Sequence, residues 1–127
     1  MPAPQPAAAD DRRALGAFGE EAVARWYTAR GADVIDRNWR VRTGEIDLVV
    51  VEARVVVFCE VKTRRSTRYG TPAEAITPAK ARRLRRLAGE WLAAHPDVRH
   101  RGLRIDLAAV LVDATGVATI DVVPIDS

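Results

Sequence analysis

Asp47, Glu60 and Lys62 are the residues whose types and spacing can do chemistry. They stand within Gly44 to Lys62, GEIDLVVVEARVVVFCEVK, a stretch whose β-branched and aromatic density reads as two strands joined by a tight turn. Side chains alternate faces along a strand, so Glu45 and Asp47 share one face, as do Glu60 and Lys62. A turn centred on Ala53 and Arg54 places Asp47 across from Glu60 and Glu45 across from Lys62. Opposed Cβ atoms lie roughly 4.5–5.5 Å apart, close enough for two carboxylates to share one cation. Like charges so opposed destabilise a sheet, and something must compensate. A divalent metal would do so, with Lys62 one step along the strand to orient or deprotonate a water. Ordinary salt bridges, Glu45 with Lys62 and Asp47 with an arginine, would do so as well. Ala-Arg lacks the Gly or Asn of the favoured two-residue turns, and an odd-numbered loop would break this register.

The flanking elements must hold that hairpin in place. Residues 1–9, MPAPQPAAA, read as a disordered tail with neither the basic start nor the apolar core of a signal peptide. Residues 10–127 read as a single domain, too short to divide in two. Asp10 or Asp11 caps a helix predicted to reach about Arg30 and stop at Gly31. Its apolar face holds Leu15, Phe18, Gly19, Ala22, Val23 and Trp26. Glu20 sits at the edge of that face beside Tyr27, placed either to reach the sheet or to stay solvated, while Glu21 points away. Ala32 to Asn38 is a short first strand, followed by a loop of Asn38, Trp39 and Arg40 in which Trp39 packs.

After the hairpin, Thr63 to Gly70 (TRRSTRYG) has the polar, glycine-ended composition of a loop at the mouth of a site. Arg64, Arg65 and Arg68 are candidates for phosphate contact, and Tyr69 for stacking on an exposed base. Thr77-Pro78 starts a second helix running to about Ala94. Leu84, Leu87, Ala88 and Trp91 face inward; Arg82, Arg85 and Arg86 face outward. Lys80 lies in the first turn on the inward side, against the helix dipole. It meets the site carboxylates or a substrate phosphate, or its stem packs while its ammonium snorkels to water. His95 and His100 lack metal-ligand spacing and read as surface residues. Leu103 to Val112 is a strand buried on both sides, within which Asp106 pairs with an arginine or supports the site. Val117 to Val123 is a last strand at the sheet edge, ahead of Pro124.

Composition narrows the classes. The 48% hydrophobic fraction suits a globular protein, and a single cysteine excludes a disulfide framework. With no secretory segment, the cytoplasm is the expected setting. Cys59 falls on the face opposite Glu60 and reads as core filler. No apolar run approaches the ~20 residues of a membrane span. The net charge of +3 is unevenly spread: residues 60–86 hold nine basic and two acidic side chains, and the remainder is net negative. A basic belt beside an acidic site suits a polyanion, or it is the solvated face of an arginine-rich protein. Among 20 basic residues only Lys62 and Lys80 are lysine, whose pKa, unlike arginine's, responds readily to surroundings.

Asp47 followed by Glu60-Val61-Lys62 resembles the PD-(D/E)xK signature of the restriction-endonuclease-like nucleases, with Ile46 where the signature's name has proline. The longer string is GEIDLVV, VFCEVKTR and YGTPAEAI, with GxxGE (Gly16 to Glu20) upstream and NWR (Asn38 to Arg40) between. It resembles, over about residues 15–110, the YraN family of small bacterial proteins, largely uncharacterised and described as Holliday-junction-resolvase-like. The resemblance implies an α/β fold with a restriction-endonuclease-like αβββαβ core, a mixed β-sheet flanked by helices. It further implies a metal-dependent endonuclease that hydrolyses phosphodiester bonds in branched or structured DNA, as in repair or recombination. Asp47, Glu60, the Val61 carbonyl and Glu20 would then hold Mg²⁺ or Mn²⁺, and Lys62 would position the attacking water. Lys80, Arg64, Arg65, Arg68 and Tyr69 would hold the nucleic acid, and Glu45 would support Lys62. A homodimer would supply the two sites that resolving a branched substrate needs, although no residue dictates one. Two alternatives stand beside this reading: a non-catalytic module that keeps the fold and binds nucleic acid or a partner, and a scaffold whose basic belt binds an acidic protein.

Overall fold

A computed structural model of the chain describes residues 8–65 and 76–125. Helix α1 (Ala8–Ala29) is followed by strands β1 (Asp33–Val41), β2 (Gly44–Glu52) and β3 (Val55–Arg64), helix α2 (Pro78–Ala94), and strands β4 (Gly102–Val112) and β5 (Ala118–Pro124). The five strands form one sheet in chain order, with β3 and β4 parallel and every other pair antiparallel. This is the expected mixed sheet flanked by helices, with β5 at its edge. The helix begins at Ala8, so Ala8 and Ala9 are helical and not part of a tail; residues 1–7 lie outside the described residues.

Strand alternation divides the core between the two sheet faces. Leu48, Val50, Val57, Cys59 and Val110 cluster with Val23, Ala24 and Tyr27 of α1. Val49, Val56, Phe58 and Ile105 cluster with Leu84, Leu87, Ala88 and Trp91 of α2. A sheet covered on both faces explains why β3 and β4 read as near-continuous apolar runs. Cys59 is a buried core residue whose thiol is pushed well up by burial, as its position opposite Glu60 implied.

The buried face of α1 is turned from the expected one. Tyr27 is fully buried, whereas Phe18 is 46% exposed. Tyr27 there meets Asp106, the one buried charged side chain among the described residues. Its Oδ2 accepts from Tyr27 Oη at 2.6 Å, and its Oδ1 accepts from Arg104 Nε at 2.8 Å. A buried carboxylate demands donors, and of the helix aromatics a phenol can donate where Phe18 cannot. Arg104 and Arg30 also reach Glu52, at 3.4 and 3.1 Å.

Gly19 sets how closely α1 lies on β3. A Cβ there would stand 1.8 Å from Thr63 Oγ1 and 2.8 Å from Thr63 Cβ, so no Thr63 rotamer relieves the clash and the helix itself must shift. Gly19→Ala is therefore expected to destabilise by about 2 kcal/mol, since overpacking outweighs alanine's helix propensity. Exposed Gly89, with nothing within 4 Å, is the contrast. There Ala is expected to stabilise by about 0.5–1 kcal/mol, and urea denaturation of the two variants should separate the signs.

Asn38, Trp39 and Arg40 belong to β1 and not to a loop, because only Arg42 and Thr43 separate β1 from β2 and pairing runs on to Val41↔Gly44. Trp39 packs, as expected, against the core beneath α2. Helix α2 starts as read, with Thr77 as its cap and Pro78 at its first turn. It is pinned to the sheet by Trp91 Nε1, which donates to Asp36 Oδ2 at 2.8 Å. His95 is not a free surface residue: its ring stacks on Trp91 at 3.9 Å, and Nδ1 sits 2.7 Å from the Trp91 carbonyl oxygen.

Candidate active site

The central hairpin turns at Ala53 and Arg54, with φ of 50° and 69°. Both lie in the left-handed region that a type I′ turn requires, here without glycine. The register runs from Glu52↔Val55 to Leu48↔Cys59, the one the two-residue turn predicts. There the ladder ends. The expected direct pairs, Asp47 with Glu60 and Glu45 with Lys62, are not formed. Asp47 Oδ2 instead accepts from the Val61 backbone N–H at 2.8 Å, so a side chain satisfies the donor that the ladder would have engaged. Alternation slips at the same point: Ile46 and Leu48, two residues apart, lie in opposite cores. Glu45 is left to pair with Arg40, its ladder neighbour on β1, at 3.1 Å.

Where β2 and β3 part, a cleft of about 740 Å³ opens between α1, the strands and α2. Four carboxylates line it: Glu20, Glu45, Asp47 and Glu60. So do five cations: Arg12, Arg40, Arg42, Lys62 and Arg83. Burial, reinforced by the charges of Glu20, Glu60 and Glu45, pushes the Asp47 carboxyl up to about 6, against the opposing pull of the Val61 N–H. Glu20 is raised chiefly by burial and further by Glu45. With its amide nitrogen facing the carboxylate, Asn38 donates to both Glu20 oxygens at 3.2 and 3.3 Å. Glu60 Oε2 and Thr63 Oγ1 are buried without a hydrogen-bond partner.

These donors fit a hard divalent cation in kind: carboxylate oxygens, one of them orphaned, whose mutual repulsion a cation would relieve. In number they are few. Among the described residues no three His, Cys, Asp or Glu side chains lie close enough to hold one ion between them. That suits Mg²⁺, which is commonly held by one or two carboxylates and keeps several waters.

Glu20, Glu45, Asp47, Glu60, Val61 and Lys62 thus share one cleft. The expected nucleic-acid contacts do not join them. Lys80 is half-buried in the first turn of α2, outside that lining, with its backbone N–H donating to Thr77. Arg64 ends β3, and Arg65 borders an apolar depression with Phe18 and Val112. Arg68 and Tyr69 lie outside the described residues. Of the five cations that line the cleft, the sequence assigned only Lys62 to the site; Arg12, Arg40, Arg42 and Arg83 were not assigned to it. Arg83 had a signal, since 80, 83, 84 and 87 form one helical stripe; Arg12, Arg40 and Arg42 converge only through the fold.

Residues 19–110 match the model of a family described as uncharacterised protein family UPF0102. A UPF0102 protein of Kineococcus radiotolerans is 53% identical over 107 residues, covering 84% of this chain and 88% of the relative. One from Frankia casuarinae is 53% identical over 103 residues, covering 81% and 86%. One from Streptomyces griseus is 51% identical over 105 residues, covering 83% and 88%. No helix of the described residues is long and apolar enough to cross a membrane.

Proposed function

The chain belongs to the uncharacterised protein family UPF0102, and from that premise we propose that it is a metal-dependent nuclease hydrolysing phosphodiester bonds in branched or structured DNA. The observation that carries this reading is Asp47, held at the mouth of the split hairpin among three other carboxylates with its carboxyl raised to about 6. A fold gains nothing from such repulsion unless a cation relieves it. Asp47 and Glu60, with the Val61 carbonyl, are the residues that would hold Mg²⁺ or Mn²⁺. When bound, the metal supplies Lewis-acid stabilisation and an acidified water. Lys62, one step beyond Glu60 and facing the cleft, orients the water. Glu20 and Glu45 act as outer charges that deepen the negative potential at Asp47. The cleft arginines hold the phosphodiester, replacing the contacts expected of Lys80, Arg64 and Arg65.

One observation favours a second reading, a nucleic-acid-binding module without chemistry: among the described residues no three His, Cys, Asp or Glu side chains are grouped to hold an ion. Cleavage of labelled four-way-junction, flap, single-stranded and linear duplex DNA with Mn²⁺ or Mg²⁺ tests the choice. The expected result is cutting of at least one substrate, reduced on the order of 100-fold or more in both Asp47→Ala and Lys62→Ala. No cutting, with junctions bound at least as well by Asp47→Ala, would establish the binding module instead.

A further inference from the structure

Building on that reading, we propose that Arg83 is a switching phosphate ligand: it covers Glu60 while the cleft lacks a cation, and turns to the substrate phosphodiester once a divalent cation takes Glu60. Arg83 Nη2 stands 3.9 Å from Glu60 Oε1, inside ion-pair range but beyond a hydrogen bond. The Glu60 side chain is 13% exposed, yet its Oε2 has no partner. An arginine placed for stability would fork onto both oxygens. This one reaches across the cleft from α2 with its side chain 45% exposed, holding one oxygen by charge alone. The arrangement leaves Glu60 open to a stronger cation and leaves the guanidinium fork free to leave. A dication at Glu60 repels Arg83, and a phosphate offers that fork two parallel acceptors. Cation and phosphodiester binding are then coupled through one side chain, and the coupling is reciprocal. The Arg40–Glu45 pair differs because both its side chains are well exposed, so little is gained by exchanging its partner.

Arg83→Gln is compared with Arg82→Gln, an equal charge change at an exposed neighbour outside the cleft lining. Titration calorimetry with Mn²⁺ alone should show Arg83→Gln binding the ion about fivefold more tightly than Arg82→Gln, because its competitor for Glu60 is gone. Binding of a fluorescent four-way junction is then followed against salt, without divalent ions and with Ca²⁺ under conditions verified to give no cleavage. With Ca²⁺, Arg83→Gln should bind about tenfold more weakly than Arg82→Gln, with a salt slope smaller by about 1. Without Ca²⁺ the two should match. If Mn²⁺ binds and the two variants behave alike throughout, the switch is refuted and the nuclease reading stands. If the wild type takes up no Mn²⁺, both fall.

Discussion

Asp47→Asn is expected to stabilise the protein at neutral pH while removing metal-dependent cleavage. The unfolded chain releases the Asp47 proton near its ordinary value of 3.8, the folded chain only at about 6. Between those values the folded state binds more protons, so stability falls as pH rises through the window, and the penalty is complete above about pH 6. Two units correspond to roughly 3 kcal/mol, or a rise on the order of 10 °C in Tm when the charge is removed. Asparagine keeps an oxygen to accept from Val61 N–H, so the hydrogen bond survives the exchange. The gain should shrink toward zero below about pH 3.5, where the wild-type carboxyl is mostly protonated in both states. Cleavage should fall more than ~100-fold, since even partners outside a metal's ligand shell alter affinity 10–100-fold. Mg²⁺ should raise the Tm of the wild type and leave Asp47→Asn unmoved. Scanning calorimetry across pH decides it: equal Tm values at pH 7 would show that Asp47 is not held against its own charge.

The largest loss of stability is expected at Asp106. Asp106→Ala strands the Tyr27 hydroxyl in the core and deprives Arg104 of two short contacts, at 2.8 and 3.1 Å. Breaking a buried pair by removing one partner costs roughly 3–5 kcal/mol. Tyr27→Phe leaves Asp106 with Arg104 and should cost only about 1–1.5 kcal/mol. The two changes share one hydrogen bond, so their double mutant should fall short of the sum. Urea denaturation of the four proteins measures that coupling. A cost at Asp106 no greater than at Tyr27 would mean the carboxylate is not the centre of the network.

Much of the fold was legible because local signals agreed with the tertiary result. Thr77-Pro78 started a helix, Pro124 marked an edge strand, and a two-residue turn at Ala53 and Arg54 set the hairpin register. The site was legible as a set, since Glu20, Asp47, Glu60 and Lys62 do meet in one cleft. Its geometry was not. Strand alternation assumes the ladder continues, and nothing in the spelling of GEIDLVV says that Asp47 will accept from Val61 N–H and end it. The turned face of α1 was hidden for a related reason. Periodicity puts Phe18 on the apolar face and Tyr27 only at its edge, whereas in the fold Tyr27 is the buried one, bonded to a carboxylate 79 positions away. Arg12, Arg40 and Arg42 come from elements that meet only in the folded protein.

The parallel pairing of β3 with β4 also orders events in time. Strands β1, β2 and β3 are joined by tight turns, whereas β4 reaches β3 only after a crossover through residues 65–101 that carries α2. Short closures cost less entropy than long ones, so the meander bearing Asp47 and Glu60 is expected to assemble first. At that stage the carboxylates are still bathed in water, which weakens their repulsion several-fold relative to the interior. The penalty arrives late, when α1 and β4 seal the sheet. In a chevron plot Asp47→Asn should therefore leave the refolding arm nearly in place and lower the unfolding arm, so that the charge shortens the lifetime of the native state without slowing the chain's approach to it.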